Sequence, residues 1–251
     1  MKLAIMQPYF FPYLGYWQLF QYADTFLVFD DIQFVHKGWV NRNRILHQDP
    51  SKEWRYITVP LRKKSQKTKI LDISTLPAKL WRDKLLAQLT TYRKAPHYEE
   101  TMALLGECLD CEEQNLARFL TRAIKITAKH LGLETEILVQ SELGLDIGPV
   151  EHSGQWALRL SEAMGAIEYV NPMGGMDLFR ESEFDTSGIK LRFLDPLIEP
   201  YNQRRDSFVP SLSILDILMW NPMPEVTRML QSYRIRRSGH ENRTGGTDGD
   251  R

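Results

Sequence analysis

The chain has 251 residues, 43% of them hydrophobic, and its 32 basic and 32 acidic residues give a formal net charge of zero. A neutral chain offers no electrostatic footprint for duplex DNA or a membrane surface, and we expect neither as a partner. No run of residues reaches the ~18 apolar positions of a membrane span, and the N-terminus lacks a secretory pattern. We therefore expect a cytoplasmic protein without membrane insertion.

The first 29 residues predict two buried strands joined by a turn and a helix. Residues 2–6 and 25–29 are short apolar runs, which are typical of parallel strands buried on both faces. Between them, residues 14–23 place apolar side chains at helical spacing. Pro8 and Pro12 fix the backbone of the intervening aromatic turn and suppress a helix before Tyr13.

A longer alternation of strands and helices follows. Residues 55–61 predict a third strand, and residues 77–131 contain three segments of helical spacing, which predict a helical insertion. Residues 236–251 include no apolar side chain and predict a disordered tail. Further strands are predicted over 136–140, 167–170 and 189–194, and further helices over 150–164, 211–220 and 224–233.

This alternation predicts a mostly parallel twisted sheet, Rossmann-like or nucleotidyltransferase-like, in a single α/β domain over residues 1–235. We expect the strand order 3-2-1-4-5, in which strand three is 55–61 and strand four is 136–140. Ligands in such sheets bind at the carboxyl ends of the strands, where the strand order reverses. The expected switch point therefore lies between Gln7, after strand one, and Ser141, after strand four.

The aromatic turn after strand one carries the first candidate ligand residues. Gln7 and Tyr16 have polar tips close to the expected switch point, and Gly15 allows a ligand or a neighbouring backbone to approach closely. Phe10 and Phe11 fit either a ligand contact or the core, which is the usual place of phenylalanine. The substrate-binding candidates of this turn are Gln7, Tyr9, Tyr13, Gly15 and Tyr16.

The polar segment after strand two is the second candidate. Arginine pairs bidentately with phosphate or carboxylate, and asparagine offers donors and acceptors to hydroxyls or amides. A solvated loop with an ion pair to Asp30 or Asp31 also explains these side chains. We expect Asp30 and Asp31 to be catalytic and, as substrate-binding residues, Gln33, Lys37, Asn41, Arg42, Asn43, Arg44 and Ser141.

Two later segments add candidates. His152 carries an imidazole, which suits a catalytic general base, or it is a capping or packing residue near a helix start. Asn171 precedes Gly174 and Gly175, whose backbone N–H groups either cradle an anion or belong to a structural turn.

Metal and redox chemistry are not expected. The histidines form no metal-binding spacing with Asp, Glu or Cys residues. Cys108 and Cys111 form a C-x-x-C pair, and in the absence of further cysteines we interpret them as two reduced thiols on a helix rather than a redox pair.

The strand–turn–helix–strand layout resembles the opening of nucleotidyltransferase-type α/β domains, in which an H-x-G-H motif starts the helix and holds nucleotide phosphates. The corresponding residues here are Tyr13-Leu14-Gly15-Tyr16, so the glycine is present and both histidines are absent.

Longer blocks resemble the WbqC-like protein family over residues 2–232. They read Q-P-Y-F-x-P-Y-L-G-Y, A-D-x-F-x-x-x-D-D-x-Q-F and N-R-N-R-I, followed by Y-V-N-P-x-G-G, F-x-x-x-G-I-K-L and S-I-L-D-I-L. Where members often begin H-Q-P, this chain has Met6-Gln7-Pro8, which excludes a catalytic histidine at position 6. The resemblance implies a role in bacterial surface-polysaccharide, O-antigen or lipopolysaccharide sugar biosynthesis.

We therefore expect a transferase acting on an amino sugar or a nucleotide-linked sugar, with Lys37, Arg42, Arg44 and the Gly174-Gly175 turn holding an anionic donor. An acyl or aminoacyl group is the expected cargo because the H-x-G-H histidines are absent. The alternatives are a catalytically silent nucleotide- or sugar-binding protein and a nucleotidyltransferase-like enzyme. The expected ligand is a small anionic molecule or a sugar, with a nucleotide, acyl or aminoacyl donor as cofactor and no metal.

Overall fold

The computed structural model describes residues 1–63, 65 and 67–237. Its strands in chain order are β1 (Lys2–Met6), β2 (Thr25–Val28), β3 (Arg42–Leu46), β4 (Trp54–Thr58), β5 (Glu136–Val139), β6 (Glu168–Pro172), β7 (Lys190–Pro196) and β8 (Tyr233–Arg237). Six of them form one sheet in the order β5-β2-β1-β6-β7-β8. All pairs in this sheet are parallel except β7 with β8, which confirms the prediction of a mostly parallel sheet.

The helices lie between these strands, as the alternating pattern indicates. The segment 77–131 contains α2, α3 and α4, and two helices near the end of the described chain precede β8. The helices are α1 (Leu14–Tyr22), α2 (Arg82–Gln88), α3 (Tyr98–Leu109), α4 (Leu116–His130), α5 (Gln140–Leu143), α6 (Gln155–Ala163), α7 (Glu181–Thr186), α8 (Ile214–Trp220) and α9 (Met223–Leu230).

The predicted strand order is wrong at the third strand. Residues 54–58 pair antiparallel with β3 in a separate two-stranded hairpin, and β5 occupies the place beside β2. The physical reason is the burial pattern of the hairpin. Arg42 and Arg44 of β3, and every residue of β4 except Ile57, are not fully buried, whereas a strand inside a parallel sheet is apolar on both faces.

The corrected order moves the switch point. Because β6 pairs with β1 on the side opposite β2, the strand order reverses between β1 and β6. The residues that follow these two strands are therefore neighbours, and Gln7 lies beside the end of β6 rather than beside Ser141. Ser141 follows β5, at the edge of the sheet.

The end of the described chain also differs from expectation. Residues 233–237 form β8, so residues 236 and 237 belong to an edge strand and not to the expected tail. The remainder of that predicted tail, residues 238–251, lies outside the described residues.

Alternating side chains of the strands fill two cores, one on each face of the sheet. Ala4, Phe26 and Val28 contribute to the first core, together with α1 and α4. Leu3 and Leu27 contribute to the second core, together with α6 and α7. Such alternation is the period-2 geometry of a strand covered by helices on both faces.

The aromatic turn between β1 and α1 is fixed mainly by burial. Phe10 and Phe11 are 0% and 2% exposed, so the core is the alternative that the structure supports for both. The turn is also bonded to distant segments, because the Ser213 hydroxyl donates to the Phe11 carbonyl over 2.7 Å. Among the described residues, no helix has the length and apolar character needed to cross a membrane.

Candidate functional site

The structure does not bring the predicted site residues together in one place. Asp30 and Ser141 line one cavity, which we call the larger cavity. Tyr9, Tyr13, Asn43 and Arg44 line a second one, the smaller cavity, together with Trp39 and Ser211. His152, Asn171, Gly174 and Gly175 line neither of these two cavities.

The larger cavity, of about 610 Å³, lies at the carboxyl ends of β2 and β5. The register of the sheet pairs Val28 with Val139, so Asp30 and Ser141, each two residues further on, are adjacent. The Ser141 hydroxyl donates to the Asp30 carboxylate over 2.6 Å, and the Ser141 backbone N–H donates to it over 3.1 Å. Asp30 is 3% exposed, whereas Ser141 is open to the cavity.

Three cationic side chains of α4, which the sequence analysis missed, also line the larger cavity. Arg118, Arg122 and Lys125 are four and three residues apart and therefore lie on one face of the helix. Arg122 donates to the backbone carbonyls of Glu107 and Cys108, at 2.9 Å in each case, which holds its guanidinium in place. A basic stripe at this spacing is visible in the sequence, but nothing there distinguishes it from a solvated helix face.

The smaller cavity, of about 340 Å³, lies between the aromatic turn and the β3–β4 hairpin. Its one charged side chain is Arg44, whose guanidinium carbon lies 5.3 Å from the ring centres of both Trp39 and Trp54. Arg44 also donates to the backbone carbonyl of Ser211 over 3.1 Å. Burial, followed by the proximity of Tyr13, raises the pKa of Tyr9 to about 12. The Tyr9 phenol therefore keeps its proton at neutral pH.

Asn43 has a structural role at the base of this cavity. It is 3% exposed, and its amide donates to the carbonyls of Phe10 and Phe11 at 3.1 and 2.8 Å. Its side-chain oxygen accepts from the Arg44 backbone N–H at 2.8 Å. Asn43 thus joins the hairpin to the aromatic turn.

Two predicted ligand contacts in the turn are corrected by burial. Tyr16 is 0% exposed, and its hydroxyl donates to the Gln7 carbonyl over 3.0 Å, so it belongs to the core. Burial raises its pKa well above the ordinary value for tyrosine. At Gly15, a Cβ atom would lie 2.6 Å from the Tyr13 ring and 2.8 Å from Pro196. The close approach that Gly15 allows is made by these side chains rather than by a ligand.

The remaining candidates of the polar segment contact the chain itself. Asp31 forms an ion pair with Lys69 at 2.5 Å, and Gln33 pairs with Lys69 in an isolated β-bridge. The Asn41 amide donates to the Val59 carbonyl over 2.9 Å. Asp31, expected to be catalytic, does not line the larger cavity beside Asp30.

The expected anion clamp of Lys37, Arg42 and Arg44 is not assembled. The Arg42 guanidinium donates to the backbone carbonyls of Lys37 and Gly38, and it lies 4.2 Å from the Tyr56 ring centre. Lys37 is exposed, with a left-handed backbone (φ 63°) that this capping by Arg42 supports. Arg42 therefore braces the hairpin and does not line either cavity.

His152 lies beside α7, and its partner is an acid of that helix. Its Nε2 is 3.0 and 3.1 Å from the two carboxylate oxygens of Glu183, which also accepts from Gln155 at 3.3 Å. The hydrogen bond with His152 is the main cause of a lowered pKa of Glu183. The structure does not bring His152 together with Asp30, so the three expected catalytic residues do not form one centre.

The glycine-containing turn after β6 packs against Asn171. A Cβ atom on Gly175 would lie 2.2 Å from the Asn171 side-chain nitrogen, while Gly174 is exposed. Asn171 accepts from the Tyr169 hydroxyl at 2.9 Å and donates to the Pro172 carbonyl at 2.9 Å. Of the two alternatives, an anion-binding loop and a structural turn, these contacts favour the structural turn.

Neither Cys108 nor Cys111 lines either of the two cavities. Within the described ranges, no group of three or more His, Cys, Asp or Glu residues is placed to hold a metal ion. Cys108 and Cys111 are free thiols, and burial raises the pKa of Cys108 to about 12, which makes it unreactive near neutral pH.

Comparison with known proteins agrees with the sequence blocks. The model of the WbqC-like protein family matches residues 7–228, which confirms the resemblance. The uncharacterized protein Rv1507c of Mycobacterium tuberculosis (strain ATCC 25618 / H37Rv) is 28% identical over 224 residues, which cover 86% of this chain and 92% of that protein. No solved structure matches the chain.

Proposed function

The chain belongs to the WbqC-like protein family, and we propose that it is a cytoplasmic transferase for an amino sugar or a nucleotide-linked sugar in bacterial surface-polysaccharide biosynthesis. Its substrate site is the larger cavity, and the transferred group is of the acyl or aminoacyl type. The observation that carries the proposal is the hydrogen-bonded pair of Asp30 and Ser141 inside a cavity that three cationic side chains also line.

The pair suits attack on an acyl carbonyl. The Ser141 hydroxyl is exposed, and its proton is directed at the Asp30 carboxylate, 2.6 Å away. As Ser141 Oγ bonds to the acyl carbon, its proton passes to Asp30 and leaves with the departing group of the donor. A sugar amine then attacks the acyl-serine, and the proton that the amine loses returns to Ser141 Oγ.

The α4 cations suit the phosphates of a nucleotide or of an acyl donor. Arg118, Arg122 and Lys125 offer several N–H donors along one wall of the cavity. A volume of about 610 Å³ lies in the range of pockets that enclose small-molecule ligands. Glu107 and Glu142 also line the cavity, so a ligand with both an anionic group and an amine meets charges of both signs.

A catalytically silent nucleotide- or sugar-binding protein is the second candidate. Asp30 also accepts from the Ser141 backbone N–H at 3.1 Å, which is the bond of a helix cap on α5. His152, the expected base, is paired with Glu183 outside the cavity. A nucleotidyltransferase-like enzyme has less support, because Tyr16 stands at a motif-histidine position and is buried in the core.

The first test is a thermal-shift screen of nucleotides, nucleotide sugars, acyl-CoA thioesters and aminoacyl donors. A ligand that binds only the folded protein raises the melting midpoint by mass action. We expect a phosphate-containing compound to do so, and we expect Arg118→Ala to reduce the shift. Lys129→Ala is the matched control, because Lys129 is an exposed cation of α4 that does not line the cavity.

The second test separates the transferase from the silent binder. Wild type incubated with the binding donor should gain the mass of the acyl group, and Ser141→Ala should bind the donor without gaining that mass. Ser153→Ala, an exposed serine outside the cavity, should behave as wild type. Binding without an adduct or product in any of the three proteins supports the silent binder, and transfer by Ser141→Ala at the wild-type rate contradicts the proposed mechanism.

A further inference from the structure

The smaller cavity has the features of a second ligand site, separate from the one to which we assign transfer. It is lined by Tyr9, Tyr13, Trp39, Asn43, Arg44 and Ser211, none of which lines the larger cavity. Three of these six are aromatic, one is cationic and none is acidic. Trp39 is 37% exposed, so part of its indole ring is open to a ligand in the cavity.

Arg44 carries a donor that the chain does not satisfy. Among the described residues, none accepts a hydrogen bond from its buried Nε. A buried N–H group without an acceptor is costly, and native structures contain few of them. The indole rings of Trp39 and Trp54 attract the guanidinium through their π faces but carry no nitrogen or oxygen acceptor. Arg44 as a whole is only partly buried and lines the cavity, so the outer part of its guanidinium is open to an acceptor from outside the chain.

We propose that the smaller cavity binds a single pyranose ring that carries one acidic group, either a carboxylate or a phosphate. The acidic group accepts from the Arg44 guanidinium, whose planar fork matches both of these anions. The weakly positive C–H face of the sugar lies on the negative face of an aromatic ring of the cavity. The tyrosine hydroxyls and Ser211 offer hydrogen bonds to the sugar hydroxyls.

The size and charge of the cavity select this class of ligand. About 340 Å³ is at the lower end of the volumes found for ligand pockets, so it suits one ring rather than a whole nucleotide-linked sugar. A neutral sugar would offer the Arg44 guanidinium no charged acceptor, and a cationic amino sugar would be repelled by it. The inference goes beyond the proposed function and holds whatever the larger cavity binds.

Isothermal titration calorimetry with three probes tests the proposal. Glucuronate, glucose 6-phosphate and glucose share one ring and differ in their acidic group. We expect at least one of the two acids to bind wild type about 10-fold or more tightly than glucose does, as a charge-assisted hydrogen bond predicts. Which acid binds more tightly decides between carboxylate and phosphate. Binding of neither acid at about 10 mM, or equal binding of all three probes, overturns the proposal.

Variants locate the binding. Arg44→Gln should weaken binding of the acid about 10-fold and bring it to the level of glucose. Trp39→Ala removes a partly exposed ring, so it should preserve the fold and weaken binding of all probes. Arg42→Gln is the matched control, because Arg42 lies two residues away on β3 and does not line the cavity. The assignment is overturned if Arg44→Gln and Trp39→Ala both fold and both bind the probes with wild-type affinity. If Arg44→Gln does not fold, wild-type affinity of Trp39→Ala is sufficient to overturn it.

Discussion

The two cavities differ in what their polar side chains are bonded to. In the smaller cavity, Asn43 makes three hydrogen bonds to the backbone of the turn and the hairpin, so its main role is to stabilise the fold. In the larger cavity, Ser141, Arg118 and Lys125 are exposed at the end of a sheet that forms without them. A side chain that lines a cavity therefore does not necessarily serve ligand binding, and substitutions in the two cavities should alter different measurable quantities.

The largest expected effect is on stability, at the base of the smaller cavity. Asn43→Ala leaves two buried carbonyls and one N–H group without their partner, so we expect a loss of about 3 kcal/mol in the free energy of unfolding. Denaturant-induced unfolding measures it. Asn41→Ala, which removes one hydrogen bond to Val59, is the control and should cost clearly less. Equal losses in the two variants would contradict the structural role assigned to Asn43.

A pair of glycine substitutions should give opposite signs. At Gly15, an added methyl group meets the Tyr13 ring at 2.6 Å and Pro196 at 2.8 Å, so Gly15→Ala should destabilise the protein by about 1–2 kcal/mol. Gly106 lies in α3 with no atom within 4 Å of the added group, so Gly106→Ala should stabilise it by up to ~1 kcal/mol. Unfolding midpoints measure both changes in stability. A higher stability of Gly15→Ala would show that the Tyr13 ring moves aside for the added methyl group.

A smaller effect on stability is expected in the larger cavity. Lys125→Ala should change the free energy of unfolding by less than ~0.5 kcal/mol, because Lys125 is exposed. It should nevertheless weaken binding of a phosphate-containing ligand, measured by calorimetry, whereas Lys129→Ala should not. Loss of stability without loss of affinity would place Lys125 in the same structural class as Asn43.

The smallest effect concerns pH and the pair of His152 and Glu183. The pKa of Glu183 lies below its ordinary value of 4.5 because of His152, so the pair stabilises the fold above that pH. The contribution is lost as the pH falls through the lowered pKa. Glu183→Gln should therefore melt below wild type at neutral pH, and the two curves should converge in acid. Glu181→Gln, on the same helix, is the control, and a gap that persists well below pH 4.5 would contradict the assignment.

The parallel sheet and the adjacency of Asp30 and Ser141 could be predicted in part, because apolar runs mark strands and ligands gather at their carboxyl ends. The hairpin could not be predicted from local sequence. Its first strand, β3, has the largely polar sequence R-N-R-I-L, and it is stabilised by antiparallel pairing with β4, which the sequence of β3 alone does not indicate. The cations of α4 were missed because a basic helix face looks the same whether it borders water or a cavity. The prediction that Tyr16 contacts a ligand is wrong because its hydroxyl, the group that suggested such a contact, donates a hydrogen bond to the Gln7 carbonyl inside the core.

The pairing of β2 with β5 has a consequence for how the chain reaches its folded state. Thr25 and Glu136 are 111 positions apart, yet their strands are neighbours. At ~5–20 residues per second, synthesis leaves β2 without that neighbour for on the order of 10 s. Throughout this interval, the unpaired edge of the short, apolar strand β2 is available for pairing with strands of other chains. Proteolysis of ribosome-bound chains of increasing length should show β2 protected only after β5 has emerged, so the nascent chain is most prone to aggregate while its helical segment is being made.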